Sequence, residues 1–258
     1  MNTQLAKIKK SKFLFEELVK RDFKQKYKGT ILGAFWSVLN PLFQLLVMSI
    51  IFGQFFGRGI EHYTTYLFCG NLVFAYFKDS TNGGMDSLMV NAHIFTKVKV
   101  PKYMFLLTKN VSSIINFGLT LLVFFLFVAI DGVAFTWKFV LLLYPIVCLL
   151  AFNIGLGLIL SALYVFFRDM RYLYDIFTLL LMYASAIFYE TKILPDSYQF
   201  IFYCNPVYCY ILYFREIVLN ATIPSANLHL LCFGYAAIML IIGGWTYKHY
   251  NHRFLYYV

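Results

Sequence analysis

Apolar runs of more than twenty residues recur along this chain, and no water-soluble fold of 258 residues can bury them all. A helix needs roughly 20 apolar residues to cross a ~30 Å hydrocarbon core. Hydrophobic residues make up 61% of the chain and charged ones 13%, where a soluble domain carries about 25% charged residues. The strands of a membrane barrel alternate apolar and polar positions in segments of about 10 residues, and these continuous runs do not. The fold class that follows is an all-α integral membrane protein, a single transmembrane domain over 1–258 without internal repeats.

Six transmembrane helices can be read: Ile31–Phe56, Tyr63–Met89, Tyr103–Ile130, Phe139–Phe167, Tyr172–Tyr189 and Leu228–Tyr247. Of the 22 Lys and Arg, seventeen fall on the side of the N-terminus and four, among them Arg215, on the other side. Basic loops stay in the cytoplasm, so both termini are expected inside. The first apolar run is too long for a cleavable signal peptide and lacks its small-residue exit. Between spans 5 and 6, the segment 190–227 holds a second run of about 13 residues, too short to cross. A seventh crossing would also place the basic C-terminus outside. The segment is expected to form two short re-entrant helices, punctuated by Pro195, Pro206 and Pro224.

Polar features then mark places where function could sit. Over 13–28, Phe15, Val19 and Phe23 line one side of a helix while Glu17, Lys20, Arg21, Lys24 and Lys28 line the other, an amphipathic pattern suited to the membrane interface. It reads equally as an anchor or as a lever on a cytosolic partner. Pro41, after Asn40, removes a backbone donor inside span 1 and predicts a kink. In span 2, Asn71, Ala75, Lys78, Asn82 and Asp86 recur near helical spacing and form one mostly polar face. A charge turned to lipid costs several kcal/mol, so this face should look into the bundle, into a hydrated path, or into the cytoplasm. The loop 91–103 is short, basic and closed by Pro101. The far end is dense in Tyr and Phe, which suit an interfacial belt or a track for sugar rings.

Several chemistries are missing from the residues. No phosphate-cradling G-x-x-x-x-G-K-[ST] loop occurs, the five histidines are scattered, and no carboxylate pair is set for group transfer. The net charge of +10 sits in loops beside spans, so it points to membrane lipids and not to nucleic acid. Cys204 and Cys209 share the external segment and could pair; Cys69, Cys148 and Cys232 lie in apolar runs.

The stretches RDFKQKYKGTILGAFWSVLNPL at 21–42, NAHIFTKVKVP at 91–101 and FFRDMRYLYDI at 166–176 resemble the membrane subunit of ABC exporters for polysaccharides. The NP-V-Y pattern at 205–208 and the six-span layout share that resemblance, which covers essentially the whole chain. It implies a transport subunit without enzymatic or metal sites of its own: two copies paired with two copies of a separate ATPase that carries ATP and Mg. Residues 13–28 would be the interface helix and 91–101 the coupling helix. Asn91, His93, Ile94, Phe95, Lys97, Lys99 and Pro101, with Arg21 and Lys24, would face the ATPase. Spans 1, 2 and 5 would line the conduit, with Trp36, Asn40, Asn71, Tyr76, Lys78 and Asn82, then Tyr183, Phe188 and Tyr189, on its wall. The implied cargo is a lipid-linked glycan such as O-antigen or capsular polymer, moved across the bacterial cytoplasmic (inner) membrane. Teichoic acid is the alternative cargo; an ion-coupled secondary carrier or a membrane-embedded transferase are the alternatives of another class.

Overall fold

Helix α1, residues 13–24, lies across the foot of a bundle whose longest members are set by the apolar runs. The computed structural model describes residues 13–24, 28–56, 60–97, 100–193, 195 and 198–257, and among these there is no strand. Among the described residues seven longer helices and two single helical turns, α4 and α8, follow α1: α2 Trp36–Phe56, α3 Tyr63–Val90, α4 Ala92–Phe95, α5 Tyr103–Ile130, α6 Leu143–Phe166, α7 Met170–Ala184, α8 Phe200–Tyr203, α9 Pro206–Val218 and α10 Ala226–Tyr250. Among the described residues three units are long and apolar enough to cross a membrane: α5, the continuous stretch Trp137–Phe166, and α10. A shorter apolar stretch lies in α2 over Trp36–Phe52.

Some predicted boundaries move for identifiable reasons. Helix α2, expected as span 1, begins at Trp36 and not at Ile31, because Gly29 and Gly33 take φ of 80° and 52°, left-handed geometry that interrupts a helix. Helix α7, expected as span 5, ends at Ala184, five residues early, where Ala186 turns to φ 48°. At 1.5 Å per residue its 15 residues reach about 22 Å, short of a ~30 Å core. The stretch Trp137–Leu142 enters α6 as a 3-10 helix, while α10 runs longer than expected at both ends.

Helix α3 is the centre. It packs on α2, α5, α6 and α9, which is why a helix this rich in polar residues is tolerated. Leu67, Phe68, Phe77, Phe124, Phe152 and Tyr210 fill the core around it. The closest backbone approach joins α6 to α10. A methyl group added to Gly155 would overlap the Met239 backbone, and one added to Gly243 would overlap Gly155 itself. Small residues of this kind let membrane helices meet without side chains between them.

The segment between α7 and α10 does hold two helices, α8 and α9. Asn205 caps α9, its Oδ1 accepting from Val207 N at 3.0 Å and Tyr208 N at 3.3 Å, with Pro206 in the first turn. Ten of the thirteen residues of α9 are buried, so it is a wedge within the bundle and not a surface loop. Cys204 and Cys209 are unpaired; the buried Cys209 thiol donates to the Tyr203 carbonyl.

Candidate functional site: a polar groove and the clusters at its ends

Helix α2 touches α3 through its C-terminal half, where Ser49 Oγ and Thr64 Oγ1 lie 3.2 Å apart and Leu45 is buried. Its N-terminal half stands away from α3 and α5, leaving a half-open groove of about 480 Å³. The floor is aromatic, with the rings of Tyr76 and Phe117 at 4.7 Å. Amides line it from three helices: Asn40 and Gln44 on α2, Asn71 on α3, and Asn116 on α5. Trp36, 42% exposed, stands at the α1 end. A second space of about 370 Å³ shares Asp79, Ser113 and Asn116 with the first and adds Asp22, Asn82, Asp86 and Lys109, so a polar path continues to the foot of the bundle.

Asp22 organises that foot. It is 7% exposed although it sits on α1, which otherwise buries apolar residues such as Leu18. Asp22 Oδ1 accepts from Arg21 Nη2 at 2.8 Å, and Oδ2 lies 3.1 Å from Lys109 Nζ on α5. Arg21 Nη2 also donates to Asn91 Oδ1 at 2.7 Å, and the Asn91 amide donates to the Ser87 carbonyl at 2.8 Å. Hydrogen bonds join α1 to the α3–α4 corner, and the ion pair to Lys109 joins α1 to α5. Beneath it Phe95 packs against Phe105, and Lys102 bonds the Asn251 carbonyl at 2.6 Å while its ammonium lies over the rings of Phe95 and Phe254. Burial pushes the Lys102 ammonium below the usual lysine value.

The opposite end holds a different arrangement. Arg215 on α9 is 5% exposed. Its Nη1 donates to the Ala186 carbonyl at 2.9 Å and its Nη2 to the Ile187 carbonyl at 3.0 Å, while the guanidinium lies 3.4 Å above the Tyr66 ring. Tyr66 and Tyr63 donate to the Tyr189 and Phe188 carbonyls at 2.7 and 2.8 Å. The turn 186–189 is therefore held from two helices, and it presents Phe188, which stacks on Phe52 at 4.6 Å.

Residues 14–219 match the family of ABC-2 type transporters. The chain belongs to that family. The ABC-2 match runs from α1 through α9 and takes in the groove and both clusters. Across 249 residues, 94% of the chain and 95% of the relative, it is 28% identical to an O-antigen export system permease protein of Klebsiella pneumoniae. A protein of the same description from Myxococcus xanthus is 28% identical over 83% of each chain. This ABC-2 transporter chain is thus an integral membrane permease subunit by family, with long apolar helices to match.

Within this ABC-2 fold the expected conduit residues separate into two places. Trp36, Asn40, Asn71 and Tyr76 line the main groove and Asn82 its extension. Lys78 is exposed on the flank and lines neither space, and Tyr183, Phe188 and Tyr189 lie beyond the groove at the Arg215 end. The expected ATPase-facing residues also divide. Lys24, His93, Lys97 and Pro101 are exposed, Ile94 is half-buried, Asn91 and Phe95 turn inward, Arg21 bridges the two groups, and Lys99 lies outside the described residues. Asp22 and Arg215 were not anticipated as site residues. An acid on the apolar side of α1 was the available signal for the first. An arginine enclosed by the apolar run of α9 was the signal for the second.

Proposed function

We propose that this chain is the membrane half of an ATP-driven exporter for a lipid-linked polysaccharide. The observation that carries the reading is the groove between α2, α3 and α5. It is lined by amides and aromatic faces and is continuous toward α1. Amides hydrogen-bond sugar hydroxyls as donor and acceptor, and aromatic faces stack on the rings.

In this reading the crossings are α2, α3, α5, Trp137–Phe166, α7 with the turn after it, and α10. Helices α8 and α9 return within the outer leaflet, and both termini lie in the cytoplasm. The groove is half of a conduit, completed by a second copy, for which the exposed apolar face of α2 (Phe43, Leu46, Val47, Ile50) offers a surface. Two copies of an ABC ATPase, holding ATP and Mg, dock below on His93, Lys97 and Lys24. The chain itself catalyses no bond change. ATP binding acts only through its different affinity for the inward- and outward-open arrangements. The Arg21–Asp22–Lys109 unit carries movement at the ATPase into α3 and α5. The named relatives are O-antigen export permeases, which favours an O-antigen-like cargo in a bacterial inner membrane.

Affinity purification of the tagged chain from its host should bring down an ATP-binding-cassette subunit. The complex in vesicles should couple ATP hydrolysis to polymer accumulation in the lumen. Movement of polymer by the chain alone, on an ion gradient, would refute the reading.

A further inference from the structure

The foot of the bundle has an apolar core of its own, separate from the one around α3, and the last residues of the chain complete it. Helix α10 ends at Tyr250, and a short 3-10 turn over Arg253–Tyr256 carries Phe254 into that core. Phe254 is fully buried there, with its ring 6.0 Å from that of Phe166 and 5.3 Å from that of Tyr247. This tail lies beyond the ABC-2 match, which ends at residue 219.

Two ties hold the tail. At its start Lys102 Nζ donates to the Asn251 carbonyl at 2.6 Å and lies 5.7 and 5.5 Å from the rings of Phe95 and Phe254. At its end Arg168 Nη2 donates to the Tyr257 carbonyl at 3.4 Å, and the Tyr257 ring meets Phe166 edge-on at 5.0 Å. A lysine in a basic loop ordinarily keeps its ammonium in water. Lys102 instead turns inward to a carbonyl and two ring faces, whose quadrupoles attract a cation. Lys102 stands at the end of the loop proposed to meet the ATPase, and Arg168 stands in the link between α6 and α7. The tail thus spans from one to the other. Helix α7, which follows that link, buries only Tyr174 and Thr178, so it is lightly held and free to follow a pull.

We infer that residues 251–257 are a strap that conveys movement of the 91–102 loop to the α6–α7 link, with Lys102 and Phe254 as its positioning residues. The inference rests on the exporter reading and adds to it a second route, since the Arg21–Asp22–Lys109 contacts lead to α3 and α5.

The test is hydrogen exchange on the purified permease–ATPase complex in lipid nanodiscs, with and without a non-hydrolysable ATP analogue. In the parent, the analogue should change exchange both at 167–175 and at the foot of α3. In Lys102→Met the change at 167–175 should be lost while that at α3 persists. Lys102→Arg keeps a donor and a cation and should restore it. In vesicles loaded with lipid-linked polymer extracted from the host, Lys102→Met should lower polymer exported per ATP hydrolysed at least about threefold, within the range for residues on a coupling route. Phe254→Leu keeps the core filled but removes the ring beneath the ammonium; it should act in the same direction, and it stands in if Lys102→Met fails to fold. A normal response at 167–175 in the variants, no response there in the parent, or equal loss at 167–175 and α3 would overturn the strap and leave the exporter standing. Loss of the ATPase from the variant complexes would overturn it as well, making the tail a docking contact. Absence of an ATPase partner for the parent chain would instead bring down the exporter reading and the strap with it.

Discussion

The two ends of the groove both bury charge, but they satisfy it in different ways. At the α1 end, cations meet a carboxylate: Arg21 and Lys109 converge on Asp22. At the α9 end Arg215 meets backbone carbonyls and an aromatic face, and its Nε has no hydrogen-bond partner. An ion pair near water has an alternative, since each partner can exchange the other for solvent as elements move. A guanidinium caged by carbonyls deep in a bundle has none. The contrast suits a device with one movable end and one fixed end. In the exporter proposed above, the α1 end would receive motion, while the α9 end holds the turn that carries Phe188.

The largest effect should come from breaking the fixed end. Arg215→Leu removes the donors of the Ala186 and Ile187 carbonyls and the stack on Tyr66. With each orphaned carbonyl worth about 1–3 kcal/mol, the loss should be roughly 3–5 kcal/mol. Thermal unfolding in detergent, with yield of folded protein, would measure it. Arg215→Lys keeps the charge but not the fork, and should recover less than half of the loss. If Arg215→Leu were as stable as the parent, the two ends would not differ in the way argued.

Next comes the close backbone seam between α6 and α10. Gly155→Ala places a methyl group inside the Met239 backbone, so α6 and α10 must separate. Overpacking of this kind costs about 1–3 kcal/mol, and it should lower stability without favouring one end. Cross-linking or hydrogen exchange at α1 and at α9 should report equal loosening. Gly118 and Gly234 have open space around them, and alanine there should be silent in the same assay.

These effects also mark what could be read from the sequence. Helix α5 matched its expected bounds, Tyr103–Ile130, because Pro101 precedes it and Asp131–Gly132 follows, both local signals. The polar stripe of span 2 likewise pointed to the groove, since Asn71 and Asn82 share one side of a helix by spacing alone. The early end of α7 was not legible. Nothing in the run MYASAIFYE announces a break, and Ala186 adopts a positive φ only because Arg215, Tyr63 and Tyr66, far away in sequence, bond the carbonyls around it. Arg215 itself was counted among the external loop charges for the same reason, as its partners are invisible to local pattern. Residues whose conformation depends on neighbours in space need the fold before they can be interpreted.

The movable end should respond differently. Asp22→Asn removes the carboxylate but keeps the shape, leaving Lys109 and Arg21 facing a neutral amide. Because solvent can reach these cations, the loss of stability should be about 1–2 kcal/mol, below that at Arg215. A double-mutant cycle with Lys109→Met should return a coupling of about 0.5–3 kcal/mol, and raising the salt should shrink it. The more telling readout is functional. Asp22→Asn should uncouple the complex, so that ATP is hydrolysed while polymer export falls, whereas a merely structural role would lower both together. Parallel loss of hydrolysis and export would make Asp22 a plain structural anchor and erase the distinction between the ends.

The smallest effect on the fold should come from the exposed cations below that unit. Lys24, His93 and Lys97 project to solvent, so Lys97→Glu should change the stability of the isolated permease by no more than about 0.5 kcal/mol. The same change should weaken retention of the ATPase, since reversing a charge at a rim penalises docking more than it penalises folding. Co-purification yield, measured beside the unfolding midpoint, separates the two quantities. If Lys97→Glu left ATPase recovery untouched and Lys24→Glu did likewise, the α1 end would still be the adjustable one, but its partner would have to bind elsewhere on it.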